Sequence, residues 1–390
     1  MKSIKQIVKS GAMLLALSLV FTSCDELMGE LDNLAPSPVT PTPEPTPNML
    51  ETPLTLEAAV AGAKVTFKAN NNDAAKAIEY SDDGGMTWKP GNTGGDGVEV
   101  TLQNVGDKVM FRGNNTTYSS VYNKYNNISC TADCYVYGNI MSLINAENFA
   151  TLKELPSTGT HTFNQLFYQN THLKNHPNAA YTLELPATKL TDYCYRGLFW
   201  NCKSLATPPV LPATEMKSHC YVFMFEDCSS LTTAPELPAA TLAQSCYQTM
   251  FQNCTSLATA PVLPATTLAD YCYYEMFSDC TSLATAPALP VTELKDYCYT
   301  YMFHGCTSLE TTPKLPATEL KDRCYYGMFQ SCTSLKEAWV KAAYTNTNVE
   351  CKDMFSGCTN ASTSKFHTGD TKTNWTAAFS NLSNWEFSAY

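Results

Sequence analysis

Thiols are the most numerous reactive groups in this chain, with 17 cysteines among 390 residues, twelve of them in two strictly spaced series. The first series is Cys194, Cys220, Cys246, Cys272, Cys298 and Cys324; the second follows eight residues behind at Cys202, Cys228, Cys254, Cys280, Cys306 and Cys332. Such thiols could bridge one another, hold zinc or attack a substrate. On a helix, the two cysteines of one unit would sit ~12 Å apart, beyond the ~7 Å Cα limit of a disulfide. Bridges between units would pair equivalent cysteines two by two and break the repeat, so small buried thiols in a core ladder are expected. Zinc is not expected, because C-x-x-C spacing is lacking and the ligands would face an apolar core. Cys130 and Cys134, outside the series and close together, are the pair expected to form a disulfide.

Other reactive groups do not assemble into a site. His172 and His176 have i,i+4 spacing, but Pro177 follows at once and no third ligand is in view, which reads as a surface loop. Acids are scattered rather than paired, and no Ser/His/Asp or Cys/His arrangement can be placed. No catalytic residue, metal site or cofactor is therefore expected, and the chain does not read as an enzyme.

The elements that carry the cysteines repeat every 26 residues as C-Y-x-x-M-F-x-x-C-T-S-L-x-x-A-P-x-L-P-A-T-x-L-x-x-x, with Leu198 for Met in the first copy. A fixed period of this size marks a solenoid, whose units must stack to bury their apolar faces. Each copy offers roughly seven apolar side chains worth ~1.5–3 kcal/mol apiece, too little against the backbone entropy of one unit alone. C-Y-x-x-M-F-x-x-C has a helical period, and the S-L-x-x-A-P-x-L-P that follows suits one short strand. The third, fourth, seventh and eighth positions should point outward, and these change between copies. Among them Trp200, Phe223, Tyr274, Tyr301 and Tyr326 are the candidate ligand-binding anchors, with the opposite face around Val210, Glu236, Val262, Ala288 and Lys314 as the alternative.

Met224, Phe225, Cys228, Leu231, Leu237 and Pro238 match the A-F, C, L, I and P of the BspA-like leucine-rich repeat, which this array resembles over about residues 129–360. The period of 26 is longer than usual there, and A-P replaces a β-branched residue. The resemblance implies an α/β repeat solenoid of leucine-rich-repeat type and a cell-surface adhesin-like role toward host matrix or bacterial protein. It does not carry a ligand over.

The rest of the chain is consistent with an exported protein. Lys2, Lys5 and Lys9 precede an apolar run from Met13 to Phe21 that ends at Phe21-Thr22-Ser23-Cys24, which resembles a lipoprotein signal peptide with Cys24 lipidated. Asp25 and Glu26 are similar to the acidic export signal of surface lipoproteins, which implies the outer face of an outer membrane. Without residues 1–23 the chain has 22 basic and 36 acidic residues, a net charge of −14, which disfavours nucleic acid as a partner. Residues 24–53, with seven prolines from Pro36 to Pro53, read as an extended tether.

Residues 54–128 alternate apolar and polar between Asp-Gly and Gly-Gly turns, as in a small all-β sandwich. Within them Ser81, Asp83, Gly85, Thr87 and Trp88 resemble an Asp-box hairpin, a turn device rather than a catalytic motif. After the regular array, Cys351, Met354, Phe355 and Cys358 form a truncated copy, and residues 361–390, with Trp375 and Trp385, should cap the core. The expected function is that of a lipid-anchored surface protein binding an extracellular host or bacterial protein, or alternatively capturing glycan for a polysaccharide-uptake system.

Overall fold

The computed structural model describes residues 47–344, 349–358 and 363–390; Cys24 and the segments expected as leader and tether, up to residue 46, lie outside the described residues. Regular structure among them is almost entirely β, with a single α-helix, α1 (Lys372–Ala378), in the tail. The first nine strands are β1 (Leu54–Ala58), β2 (Ala63–Asn70), β3 (Ala77–Ser81), β4 (Lys89–Asn92), β5 (Val98–Leu102), β6 (Lys108–Gly113), β7 (Ser119–Val121), β8 (Lys124–Cys130) and β9 (Cys134–Asn139). They form two sheets, β5-β2-β8-β7 and β9-β1-β6-β3-β4. Alternation places the strands: β5 buries Val98, Val100 and Leu102 and exposes Glu99 and Thr101. The sheets meet where Phe67 packs edge-on to Phe111 with centroids 5.5 Å apart.

At the β3–β4 turn Asp83 accepts hydrogen bonds from the Thr87 N–H and hydroxyl and from the Ser81 hydroxyl. These donors, Thr87 foremost, hold its carboxyl well below the usual carboxylate range. Gly85, at φ +90°, donates its N–H to Ser81 Oγ.

Two boundaries differ from the sequence reading. Residues 47–53, assigned to the tether, pack on the fold: Met49 is buried and the Leu50 carbonyl accepts from Asn139 Nδ2 at 3.0 Å. The boundary at 128 cuts a continuous structure, since β9 pairs antiparallel with β1 and parallel with two short strands that precede the regular repeats, β10 (Leu173–Asn175) and β11 (Leu183–Glu184). One buried apolar cluster runs from Leu54 through the array to Trp385.

The helix expected over C-Y-x-x-M-F-x-x-C does not form. Every fourth residue there has positive φ, as at Tyr193, Gly197 and Asn201, and again at His219, Phe223 and Asp227. Between them the N–H groups of Cys194, Arg196, Leu198, Trp200 and Cys202 bond three residues back at 2.9–3.4 Å. The alternate N–H groups, of Tyr193, Tyr195, Gly197, Phe199 and Asn201, reach 25 residues forward to Ser218, Cys220, Val222, Met224 and Glu226 at 2.7–3.0 Å. Each unit is thus a run of tight turns whose spare donors bond the next unit, and left-handed residues at the turns prevent helical winding. The eighth position supplies residues that tolerate this: Asn201, Asp227, Asn253, Asp279 and Gly305.

Identical side chains stack in columns. Tyr195, Tyr221, Tyr247, Tyr273, Tyr299 and Tyr325 follow one another at 5.8–6.1 Å, and Phe199, Phe225, Phe251, Phe277, Phe303 and Phe329 at 5.4–5.7 Å. The second thiol of each unit points at a carbonyl one unit back, as Cys228 Sγ donating to Phe199 O at 3.1 Å and Cys254 Sγ to Phe225 O at 3.0 Å. All sixteen described cysteines are free. That includes Cys130 and Cys134, so the expected disulfide is absent; Cys130 Sγ instead accepts from Asn170 Nδ2 at 3.4 Å. Burial pushes the ladder thiols up, Cys220 and Cys272 to about 12.

After the second cysteine, successive units touch mostly through single bridges, Thr233 to Thr259 to Thr285. Longer parallel strands appear only near the end, as β12 (Thr311–Leu315), β13 (Glu337–Val340), β14 (Lys365–Thr368) and β15 (Glu386–Ala389), ordered β12-β13-β14-β15. Behind them Trp375 of α1 packs against Phe355 and Phe366, and Trp385 is buried beside Phe366.

Candidate ligand-binding face

The turn run that carries the inward columns also sets what faces out. Its period of four puts the first, fifth and ninth residues, Cys-Met-Cys, on the core side with the Tyr and Phe that follow the first and fifth, and leaves the third, fourth, seventh and eighth for the rim. Trp200, Phe223, Tyr274, Tyr301 and Tyr326 all lie on that rim, half-buried rather than fully exposed. Not every outward position is open, however: Arg196, Val222, Thr249, Ser278 and Thr300 are at most 2% exposed.

The five aromatics fall into two groups. In the first, Trp200 stacks on Phe223 at 5.5 Å and meets Tyr168 at 4.9 Å, which in turn meets Tyr125 at 5.6 Å. The Arg196 guanidinium lies over Phe223 at 4.9 Å and over Tyr122 at 3.8 Å, donating to Asn164 Oδ1 and to the Tyr122 carbonyl. Its Nη2 is buried and unpaired, and burial lowers its pKa. Tyr122 and Tyr125, from the β7–β8 hairpin, and Tyr168 were missed because they lie outside the regular repeats. In the second group Tyr274 packs on Tyr271, which stacks on Tyr297 at 4.5 Å. Arg323 bridges Tyr297 and Tyr326, and Tyr326 meets Tyr301 edge-on at 5.2 Å.

The residue just before the first cysteine, not singled out from sequence, forms a column with His161, which lies ahead of the array. His161, Tyr193 and His219 stack at 4.5 and 4.6 Å, and burial lowers both imidazoles. In this column, as in the Tyr271–Tyr297 pair, ring faces are turned to one another, which leaves mainly edges to solvent.

Between the two aromatic groups the third unit is polar, with Gln248, Thr249, Gln252 and Asn253, and it is bracketed by acids. Asp227 accepts from Trp200 Nε1 at 3.3 Å and Asn253 Nδ2 at 3.0 Å, while Asp279 sits 3.7 Å from His304. Glu226 has a buried, unpaired Oε2, and burial, then Asp227 and Glu275, push its carboxyl up to about 8. Burial likewise raises Glu275. Burial is the main cause of both shifts.

The remaining groups of interest are occupied structurally. Among the described residues no three His, Cys, Asp or Glu side chains are placed to hold a metal. His172 pairs with Asp133 at 3.0 Å, but His176 is no open loop residue; it packs against Tyr135, Tyr137 and Tyr181 beside Glu57. On the alternative face Val210 and Val262 are 73% and 80% exposed, and Lys314 lies over Trp339. No protein-family model, curated protein or solved structure matches this chain.

Proposed function

We propose that the chain is a lipid-anchored, cell-surface binding protein, held by Cys24 on an outer membrane, whose repeat array is a leucine-rich-repeat-type solenoid set on a small β-sandwich. Turn runs stand where the family has helices, and the ladder of N–H groups reaching 25 residues forward supports the solenoid reading. Its ligand is an extracellular protein, bound on the face that carries Trp200, Phe223, Tyr274, Tyr301 and Tyr326. One observation carries this: the Cys, Tyr, Phe and Leu positions kept through the array are accounted for by packing, while the varying rim gathers half-buried aromatics in two groups. Aromatic anchors on a rim that also carries Asp227 and Asp279 suit a polypeptide that presents Lys or Arg.

Glycan capture is the competing role, and it needs ring faces open for sugar stacking, which the paired rings offer poorly. Screening the full chain on matrix-protein and glycan arrays separates the two. Protein hits that weaken with added salt support the proposal; hits confined to glycans overturn it.

A further inference from the structure

Residues of the last repeat unit and of the tail, far apart in sequence, meet on one face of the last sheet. The register of β13, β14 and β15 aligns Trp339, His367 and Ser388 across neighbouring strands, with Glu337 two residues before Trp339 on the same face. Ser388 Oγ lies 2.6 Å from His367 Nδ1, and His367 Nε2 lies 2.9 Å from Glu337 Oε1. The carboxylate fixes the ring proton on Nε2, so Nδ1 is left as the acceptor of the serine hydroxyl. Trp339 stacks flat on the imidazole at 3.5 Å, and only 15% of the His367 side chain is exposed, which holds the ring in place.

The hydroxyl is open on its other side. Ser388 borders a groove of about 640 Å³ that is also lined by Phe387, Ala389, Tyr390 and Lys341. Strand β15 is the sheet edge: Glu386 and Tyr390 donate inward to Ser364 and Thr368 carbonyls, so the alternating pattern turns the Ala389 N–H, one residue past the serine, toward the open side.

We propose that Ser388, His367 and Glu337 form a nucleophilic serine site that cleaves small carboxylic esters bound in this groove. Ser388 Oγ adds to the ester carbonyl while its proton passes to His367 Nδ1. The carbon–oxygen bond to the alcohol then breaks, and the alcohol leaves with that proton. Water next attacks the acyl-serine, giving one proton to His367; the carboxylic acid departs as that proton returns to Ser388 Oγ. Glu337 is a positioning residue that keeps the ring tautomer. An amide's poorer leaving group would need more stabilisation than the one edge N–H of Ala389 offers, so esters rather than amides are the substrate class. This site is distinct from the aromatic rim and does not depend on what the rim binds.

The test is covalent labelling of the full chain with a fluorophosphonate probe, read by peptide mass spectrometry, beside hydrolysis of p-nitrophenyl acetate. The expected result is one adduct, on Ser388, lost in Ser388→Ala and formed at least tenfold more slowly in His367→Gln, with circular dichroism unchanged. Glu337→Gln should slow labelling and displace its pH–rate profile, which a merely structural contact would not do. No adduct on Ser388, or an equal labelling rate in His367→Gln, would show that the three side chains only tie the strands together.

Discussion

In the N-terminal sheets a strand such as β2 finds partners in β5 and β8 on either side, at separations set by hairpins and connecting loops. In the turn runs of the repeat array alternate N–H groups go 25 residues forward, unit after unit, and the side chains beneath them stack on copies of themselves. The sheets define inside and outside by alternation within a strand. The array does so by columns, so a defect in one unit is felt by the units above and below and by no other layer.

The largest expected effect is on a column. Phe251 is fully buried between Phe225 and Phe277, and Phe251→Ala should cost ~3–5 kcal/mol, read as a fall in melting temperature. Gln252→Ala, the next residue along and on the rim, should stay within ~0.5 kcal/mol of the parent chain. Equal losses at the two sites would mean that the columns do not carry the array.

Glu226 gives a smaller and pH-dependent effect. Its folded pKa, about 8, lies above the 4.5 of a free glutamate, so the fold favours the neutral carboxyl. That contribution is complete below about pH 4.5 and disappears as pH rises through about 8. Glu226→Gln should therefore leave stability near pH 4.5 unchanged and raise it at pH 8.5 by ~1–2 kcal/mol, after allowance for the solvent that reaches the group. A gain that does not grow with pH would contradict an uncompensated acid at this rim.

Smaller still is the test of the turns. Ser331 has φ +63°, a conformation that glycine adopts freely, so Ser331→Gly should stabilise by ~0.5–1 kcal/mol. In a helix the same change would destabilise by about as much, so the sign of the shift in melting temperature decides between the two.

That pair of outcomes also explains how the sequence could be misread locally and still place the core. A helix of 3.6 residues and a turn run of four both return Cys246, Met250 and Cys254 to one side, so the buried list follows from either. What separated them was written one residue before the second cysteine, in Asn201, Asp227, Asn253, Asp279 and Gly305, which favour the left-handed region and have no reason to recur on a helix. The central units, with prolines at 235, 261 and 287, touch through single bridges, while Pro313 stands within β12, whose pairing with β13 shifts register around it.

The rim was legible only in part. Trp200 and Phe223 stand out because their neighbours repeat and they do not. Tyr122, Tyr125 and Tyr168 reach the same patch from outside the period, and the burial of Arg196 under Tyr122 is a tertiary event with no local signal. Glu337, His367 and Ser388 lie 30 and 21 residues apart, and only strand register brings them together.

The most direct test of the central claim is the affinity of the captured protein ligand for a chain in which Trp200, Phe223, Tyr274, Tyr301 and Tyr326 are all changed to Ser. With circular dichroism unchanged, binding should weaken at least tenfold, ~1.4 kcal/mol. Unchanged affinity would contradict the assignment of the rim and place the ligand on the face around Val210, Glu236, Val262, Ala288 and Lys314, or on the N-terminal sheets.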